Sequence, residues 1–189
     1  MKTAEIIGEA LAVLKNGGLL LYPTDTVWGI GCDATDEAAV AKVFALKRRA
    51  DSKALVLLAS DMDMVAKHIH RIPDIAIDLV EVNDKPMTII YPGAQYLAPN
   101  VVAEDGSVGI RIPMNDFCVE LVRRFRKPIV STSANISGEP APQSFKDITE
   151  EIKSGVDYIV DRSLEKGSTG IASQIIKVEL DGQVTIIRP

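Results

Sequence analysis

Short apolar runs alternate with segments of helical periodicity along almost the whole chain. The apolar runs predict strands at residues 19–22, 54–59, 87–91, 107–112, 128–132, 158–160, 174–180 and 183–187. Between them, apolar residues spaced by three and four predict helices. Thr3 is expected to cap the first helix, Thr35-Asp36 to begin the second, and Asn115 or Asp116 to cap a helix that ends at Phe125, with further helices at 61–68, 74–82 and 145–153. This alternation restricts the chain to an α/β fold. Asp181-Gly182 between the last two runs predicts a hairpin, so the sheet must be mixed.

The length of 189 residues suits one domain, residues 1–189, and 47% hydrophobic residues are enough to form a core. The formal net charge of -5 argues against a broad surface that follows nucleic-acid phosphates, although it leaves room for a local basic pocket. Two cysteines without a CxxC spacing do not form a zinc site by themselves. We therefore expect reduced, partly buried thiols in place of a zinc site.

The N-terminal segment does not resemble a signal peptide, because Glu5, Glu9 and Lys15 stand where an apolar stretch is needed. No run approaches the roughly 18 apolar residues of a membrane span. We therefore expect a cytoplasmic protein that does not associate with membranes.

The first polar motif covers residues 22–31 and follows a buried strand. Thr24, Asp25 and Thr26 come at the end of this strand, where ligand sites of α/β proteins tend to form. Two later glycines of the motif would allow the backbone to approach a ligand closely. A plain turn with capping hydroxyls would use the same residues, and spacing alone does not separate the two interpretations.

The second motif is a basic cluster, in which Lys47, Arg48, Arg49 and Lys53 fall within seven residues. Cations are common at helix C-termini, so an ordinary helix end explains the cluster. A polyphosphate site is the alternative, because the cluster leads directly into a buried strand. From the residues alone, the helix-end interpretation is favoured.

The third motif places Arg111 inside an apolar strand at residues 107–112. A buried guanidinium needs an anionic partner, since leaving it unpaired is costly. That partner could be a carboxylate of the protein, or a carboxylate or phosphate of a ligand. The sequence favours neither.

The fourth motif, residues 131–138, follows the strand at 128–132. It reads Ser-Thr-Ser-Ala-Asn-Ile-Ser-Gly and offers four hydroxyls and an amide. A plain turn does not need so many hydrogen-bonding groups, so this motif favours a binding role.

Taken in order, these motifs resemble the YrdC-like family. The matching segments are YPTDTVWGIG at 22–31, Lys47-x-Arg49 with Lys53, SVGIRIP at 107–113, STSANxSG at 131–138, and the late Ser173 and Arg188. The chain differs from the usual pattern at several positions. Trp28 stands where the family usually has Tyr or Phe, Ala50 and Ala54 stand in place of prolines, and Gln174 stands in place of Thr or Glu. At residues 84–88 only Pro86 and Thr88 remain of the PGPxT segment.

The resemblance implies a single-domain fold with a twisted mixed β-sheet, flanking helices and a concave basic cleft. It implies an ATP-dependent synthase that makes threonylcarbamoyl-AMP from threonine and bicarbonate for tRNA modification. The residues that would bind the threonine or carbamate part are Thr24, Thr26, Arg111, Ser131 and Ser173. Those that would bind nucleotide are Arg49, Lys53, Ser133, Asn135 and Arg188, with Lys47, Arg49 and Lys53 also acting on the phosphates during catalysis.

The same resemblance implies that Mg²⁺ is carried mainly by the ATP phosphates with water ligands, so we expect no metal site formed by the protein itself. It also implies a downstream threonylcarbamoyl transferase complex as a partner. Two alternatives stay open. One is a paralogue that lacks synthase activity or adenylates another carbamate, and the other is a relative that binds tRNA or double-stranded RNA without catalysis.

Overall fold

The computed structural model describes residues 2–50 and 55–189. The helices of these residues are α1 (Thr3–Lys15), α2 (Glu37–Lys47), α3 (Met62–His68), α4 (Asp74–Val82), α5 (Asp116–Phe125) and α6 (Glu150–Ser154). The strands are β1 (Leu20–Tyr22), β2 (Gly29–Gly31), β3 (Val56–Leu58), β4 (Met87–Tyr91), β5 (Val108–Arg111), β6 (Ile129–Val130), β7 (Thr132–Ser133), β8 (Tyr158–Ile159), β9 (Gln174–Val178) and β10 (Val184–Arg188).

The strands form two sheets, whereas the sequence analysis expected a single sheet. The α/β class and the mixed character of the sheets are confirmed. The smaller sheet has the order β7-β2-β1-β8, and the larger has the order β10-β9-β4-β5-β3-β6. Both are mixed: β1 is parallel to β8 and antiparallel to β2, and β4 is parallel to β9 and antiparallel to β5. The predicted hairpin is confirmed, because β9 and β10 pair antiparallel.

The strand predicted at 128–132 is divided between the two sheets. β6 pairs with β3 of the larger sheet, and β7 pairs with β2 of the smaller one. Ser131 lies at the crossing, and its N–H donates to the carbonyl of Val56 at 2.8 Å. A five-residue segment rich in β-branched residues does not reveal such a division, because each half satisfies the same strand pattern. The two sheets are therefore joined directly at Ser131.

Helix boundaries follow capping chemistry. The side chains of Asp36 and Asn115 accept N–H bonds at the starts of α2 and α5, as predicted. The expected Thr3 cap was wrong: Lys2 is the cap of α1, and its N–H donates to the Glu5 carboxylate at 3.0 Å. The helix predicted at 145–153 is shorter, because residues 145–147 form a 3₁₀ turn and α6 begins after its own cap, Thr149.

One cluster of buried apolar side chains extends over both sheets and the helices packed on them. Helix α1 contributes Ile6, Ile7, Ala10 and Leu14, which are the positions that its 3.6-residue period places on one face. Within the described part of the chain, we find no helix with the length and apolar character needed to cross a membrane.

Strand β2 was not predicted, because its Gly-Ile-Gly sequence has low strand propensity. Gly31 is needed there for close packing rather than for a ligand. A Cβ at this position would lie 2.6 Å from the Tyr22 ring and 2.7 Å from the Val130 carbonyl oxygen. The close approach of backbone to an aromatic ring therefore explains the glycine.

We expect Gly31→Ala to lower the free energy of unfolding by about 1–3 kcal/mol, since it overpacks this contact. Gly8→Ala is the matched control. Gly8 lies in α1 with no atom within 4 Å of the place that a Cβ would occupy, and the change should stabilise the protein by about 0.5–1 kcal/mol. Urea unfolding measures both, and equal stabilities would contradict the packing argument.

Candidate active site

A cavity of about 230 Å³ lies between the two sheets, beside the crossing at Ser131. Both sheets contribute to its wall. The predicted site residues that line it are Thr26, Arg49, Arg111, Ser131, Ser133, Ser173 and Arg188. The structure therefore brings together groups from all four motifs and from the last two strands. Lys53 lies outside the described residues.

Arg111 is 3% exposed and ends β5 at the cavity wall. Its guanidinium donates to the Asp25 carboxylate at 2.5 Å and to the Thr26 hydroxyl at 3.3 Å. Asp25 also accepts the N–H of Met114 at 3.0 Å. The protein thus supplies the anionic partner that the buried arginine requires, and the guanidinium still forms part of the wall.

The threonine hydroxyls beside Arg111 form a directed hydrogen-bond chain. Thr24 Oγ1 donates its one proton to the Val27 carbonyl at 2.7 Å, so Thr26 Oγ1 must be the donor in the 2.9 Å bond between the two hydroxyls. Thr24 also accepts the Thr26 N–H, which uses its remaining capacity. Thr24 therefore holds Thr26 in place. The Thr26 oxygen, which accepts from Arg111, keeps one lone pair for a donor in the cavity.

The segment at 168–173 completes the cavity wall beside these threonines. The hydroxyl of Ser168 and the N–H of Gly170 donate to the carbonyl of Thr26. The Ser173 hydroxyl bonds the buried Thr88 hydroxyl at 2.8 Å. Arg188 donates to the Ser173 carbonyl at 2.6 and 2.9 Å, which orders its guanidinium at the cavity. Hydrogen bonds from this segment to Thr26, to β4 and to β10 thus fix the lining groups.

Among the described residues, three of the predicted site residues do not line the cavity: Thr24, which supports Thr26 from behind, Lys47 and Asn135. Lys47 is 1% exposed and donates to the carbonyls of Ser133 and Asn135. Burial, and to a smaller extent the charge of Arg49, lower the pKa of Lys47 to about 8. Asn135 lines a separate hollow, where its buried Oδ1 has no hydrogen-bond partner among the residues that the structure describes.

A second hollow of about 430 Å³ adjoins the cavity over the open face of the larger sheet. The two share Leu55, Val56 and Ile175 as lining residues. Further along, the wall of this hollow includes Ile90 and Gly109. The polar cavity therefore continues into a mostly apolar groove.

The sequence analysis missed several residues of the site. Asp25 was noted as a polar group but was not assigned a role, although its place next to Thr26 in the first motif was a usable signal. Thr88 is fully buried in an apolar strand and supports Ser173. A single hydroxyl residue within an apolar strand could have indicated this supporting role from the sequence. The apolar lining at Val56 and Ile175 gave none, because buried strands look alike in sequence.

Among residues 2–50 and 55–189, no group of three or more His, Cys, Asp or Glu side chains is placed to hold a metal ion. The described cavity wall carries three arginines and a set of hydroxyls, without an Asp or Glu. Guanidinium groups and hydroxyls in a cleft between two mixed sheets define an α/β protein with a site whose chemistry suits an anionic ligand.

The chain belongs to the Sua5/YciO/YrdC family, whose model, described as telomere recombination, matches residues 12–189. It is 37% identical over 148 residues to threonylcarbamoyl-AMP synthase of Chromohalobacter salexigens, covering 78% of this chain and 80% of that protein. It is 36% identical over 157 residues to threonylcarbamoyl-AMP synthase of Hahella chejuensis, covering 82% and 85%. The family expected from the motifs is thus confirmed.

Solved structures show the same fold. P. abyssi Sua5 complexed with L-threonine superposes with a TM-score of 0.89 at 27% identity, over 100% of this chain and 55% of that one. This chain therefore spans about half of that protein. E. coli YciO has a TM-score of 0.82 at 20% identity, over 97% and 88% of the two chains, which shows the fold alone.

Proposed function

We propose that this protein condenses L-threonine, bicarbonate and ATP into threonylcarbamoyl-AMP, with release of pyrophosphate and water. The observation that carries the proposal is the single cavity in which Arg49, Arg111 and Arg188 meet the hydroxyls of three different segments. Relatives named for this activity cover most of the chain at 36–37% identity. Positioning and charge neutralisation are the main contributions that such a reaction needs from a protein.

The end of the cavity at Arg111 suits the amino acid. A threonine carboxylate would receive guanidinium N–H bonds from Arg111, and its nitrogen would donate to the remaining lone pair of Thr26. Ser131 and Ser173 stand beside them as further hydroxyl partners. In this orientation the amine that forms a carbamate with bicarbonate points into the cavity.

Arg49 and Arg188 suit the phosphates. A carbamate oxygen attacks the α-phosphorus of ATP, the bond from that phosphorus to the bridging oxygen breaks, and the bridging oxygen of the leaving pyrophosphate gains a negative charge that must be neutralised. Both arginines line the cavity, and Ser133 offers a hydroxyl on the same wall. Lys53 belongs to the same basic motif, and we retain its phosphate role as a prediction.

The nucleoside needs more space than the polar cavity gives. At about 230 Å³ the cavity is smaller than the 300–1,000 Å³ typical of ligand sites, so ATP must extend beyond it. The apolar groove that shares Leu55, Val56 and Ile175 with the cavity offers a surface on which a flat purine ring can pack. We therefore place the adenine over the open face of the larger sheet.

We expect Gly109→Val to raise the KM for ATP by about tenfold, with little change in the KM for threonine, because the new side chain fills this groove. A Cβ at Gly109 already lies 3.3 Å from Thr88 Cγ2 and within 4 Å of Ile90 and Val56. Steady-state kinetics with each substrate varied in turn measures the two constants. If only the KM for threonine rises, the adenine does not bind in this groove.

Magnesium enters this scheme on the ATP phosphates, with water as its other ligands. The buried carboxylate nearest the cavity, Asp25, is already engaged by Arg111 and by the N–H of Met114. We also propose that the enzyme acts in the cytoplasm, and that a downstream threonylcarbamoyl transferase complex passes its product to tRNA.

The test is pyrophosphate release from ATP, measured with threonine and bicarbonate each present or omitted. The proposal requires release that depends on both. Release that ignores threonine would instead indicate a paralogue with another acyl acceptor. No release, together with tRNA or double-stranded RNA retained in a gel-shift assay, would favour a binding protein and contradict the synthase.

A further inference from the structure

Lys47 makes three contacts with one short loop. Its ammonium donates to the carbonyl oxygens of Ser133 and of Asn135, the latter at 2.7 Å. Its own carbonyl accepts the N–H of Ser137 at 2.8 Å. The last residue of α2 is thereby tied to the loop at both its side chain and its main chain.

The position of Lys47 separates it from the basic residue two places further on. Arg49 lines the cavity, whereas Lys47 does not and is almost completely enclosed. Carbonyl oxygens are good acceptors for an ammonium group, and buried donors are costly to leave unpaired. Two of the three ammonium N–H groups are engaged by these carbonyls, and because Lys47 does not line the cavity, the third is not presented to a phosphate there.

We propose that Lys47 is a positioning residue that fixes the loop at 133–137, and that it does not bind the ATP phosphates. The loop carries Ser133 on the cavity wall and Asn135 on the adjoining hollow. Lys47 thus acts on the substrate through these two side chains. The assignment of their task rests on the proposed function, whereas the contact between Lys47 and the loop does not.

The backbone conformation at the end of α2 explains why Lys47 and Arg49 occupy different surroundings. Residues 47 and 49 are separated by Arg48, which ends α2 in the left-handed conformation with φ 49°. This turn of the backbone directs the two basic side chains differently, one under the loop and the other into the cavity. Two cations of one motif then perform different tasks.

The experiment compares Lys47→Met with Arg49→Met in two assays that do not require turnover. Hydrogen–deuterium exchange of ligand-free protein reports the order of residues 133–137, and calorimetry with inorganic pyrophosphate reports phosphate binding. Lys47→Met should speed exchange at the Ser137 amide by about tenfold or more and change pyrophosphate affinity by less than about threefold. Arg49→Met should show the reverse.

Unchanged exchange in Lys47→Met, or a loss of pyrophosphate affinity as large as that of Arg49→Met, would overturn the proposal. Lys47→Gln guards against a folding defect, because its amide retains N–H donors. It should exchange more slowly than Lys47→Met while binding pyrophosphate like the wild type, and faster exchange than Lys47→Met would count against the proposal. Wild-type protein that releases no pyrophosphate from ATP would refute the synthase activity and leave the exchange result standing.

Discussion

Arg111→Met is expected to lower the free energy of unfolding by about 3–5 kcal/mol, which is the usual cost of removing one partner of a buried ion pair. The substitution leaves the Asp25 carboxylate buried with only the N–H of Met114 as a described partner at hydrogen-bond distance. It also removes the donor to Thr26. Urea unfolding measures the stability loss, and threonine-dependent pyrophosphate release should fall below detection.

The double variant Asp25→Asn/Arg111→Met separates the two effects. With no unpaired charge left, its stability should lie much closer to that of the wild type, while its activity should stay as low as in the single variant. A single variant as stable as the wild type would contradict the buried pair. An active double variant would contradict the carboxylate-binding role of Arg111.

Arg49→Met is expected to reduce kcat by about 10²–10³, the usual effect of losing one donor that stabilises charge in the transition state. The guanidinium lies at the cavity beside Ser131 and Ser133. Pyrophosphate release at saturating threonine and bicarbonate is the measurement. Unfolding curves should change little in comparison, since Arg49 is only partly buried.

The adjacent arginine provides the control. Arg48 is 67% exposed and pairs with Glu151 at 2.6 Å on the surface, a type of contact that contributes about 0–1 kcal/mol. Arg48→Met should keep kcat within about twofold of the wild type. If both variants lose activity equally, general loss of positive charge would be the cause, and the specific role of Arg49 would be wrong.

Much of the fold follows from local patterns. The strand Met87–Tyr91 and the helix Asp74–Val82 have the predicted bounds, because apolar runs and capping residues act over a few positions. The crossing at Ser131 and the strand Gly29–Gly31 do not follow from such patterns. Both depend on which strands meet in space, and neither adjacent sequence nor propensity contains that information. The single domain stays a prediction, which the continuous core supports.

The candidate site shows the same division. Hydroxyls at strand ends were identified from the sequence because ligand sites of α/β proteins tend to form there, and Arg111 was identified because a guanidinium inside an apolar strand needs an anionic partner. The sequence did not show whether each of these groups contacts a ligand or another part of the protein. Lys47 illustrates this, since its carbonyl partners lie 86 and 88 residues away along the chain. The roles of individual residues stay predictions that the variants above would test.

The crossing at Ser131 also limits how this protein can change. Because β6 and β7 are separated by one residue and belong to different sheets, covalent bonds set the spacing between the sheets where the cavity lies. The sheets cannot slide apart there to admit a larger molecule. Evolution of a new substrate range would therefore have to proceed by exchanging wall side chains, with the width of the cavity held almost constant.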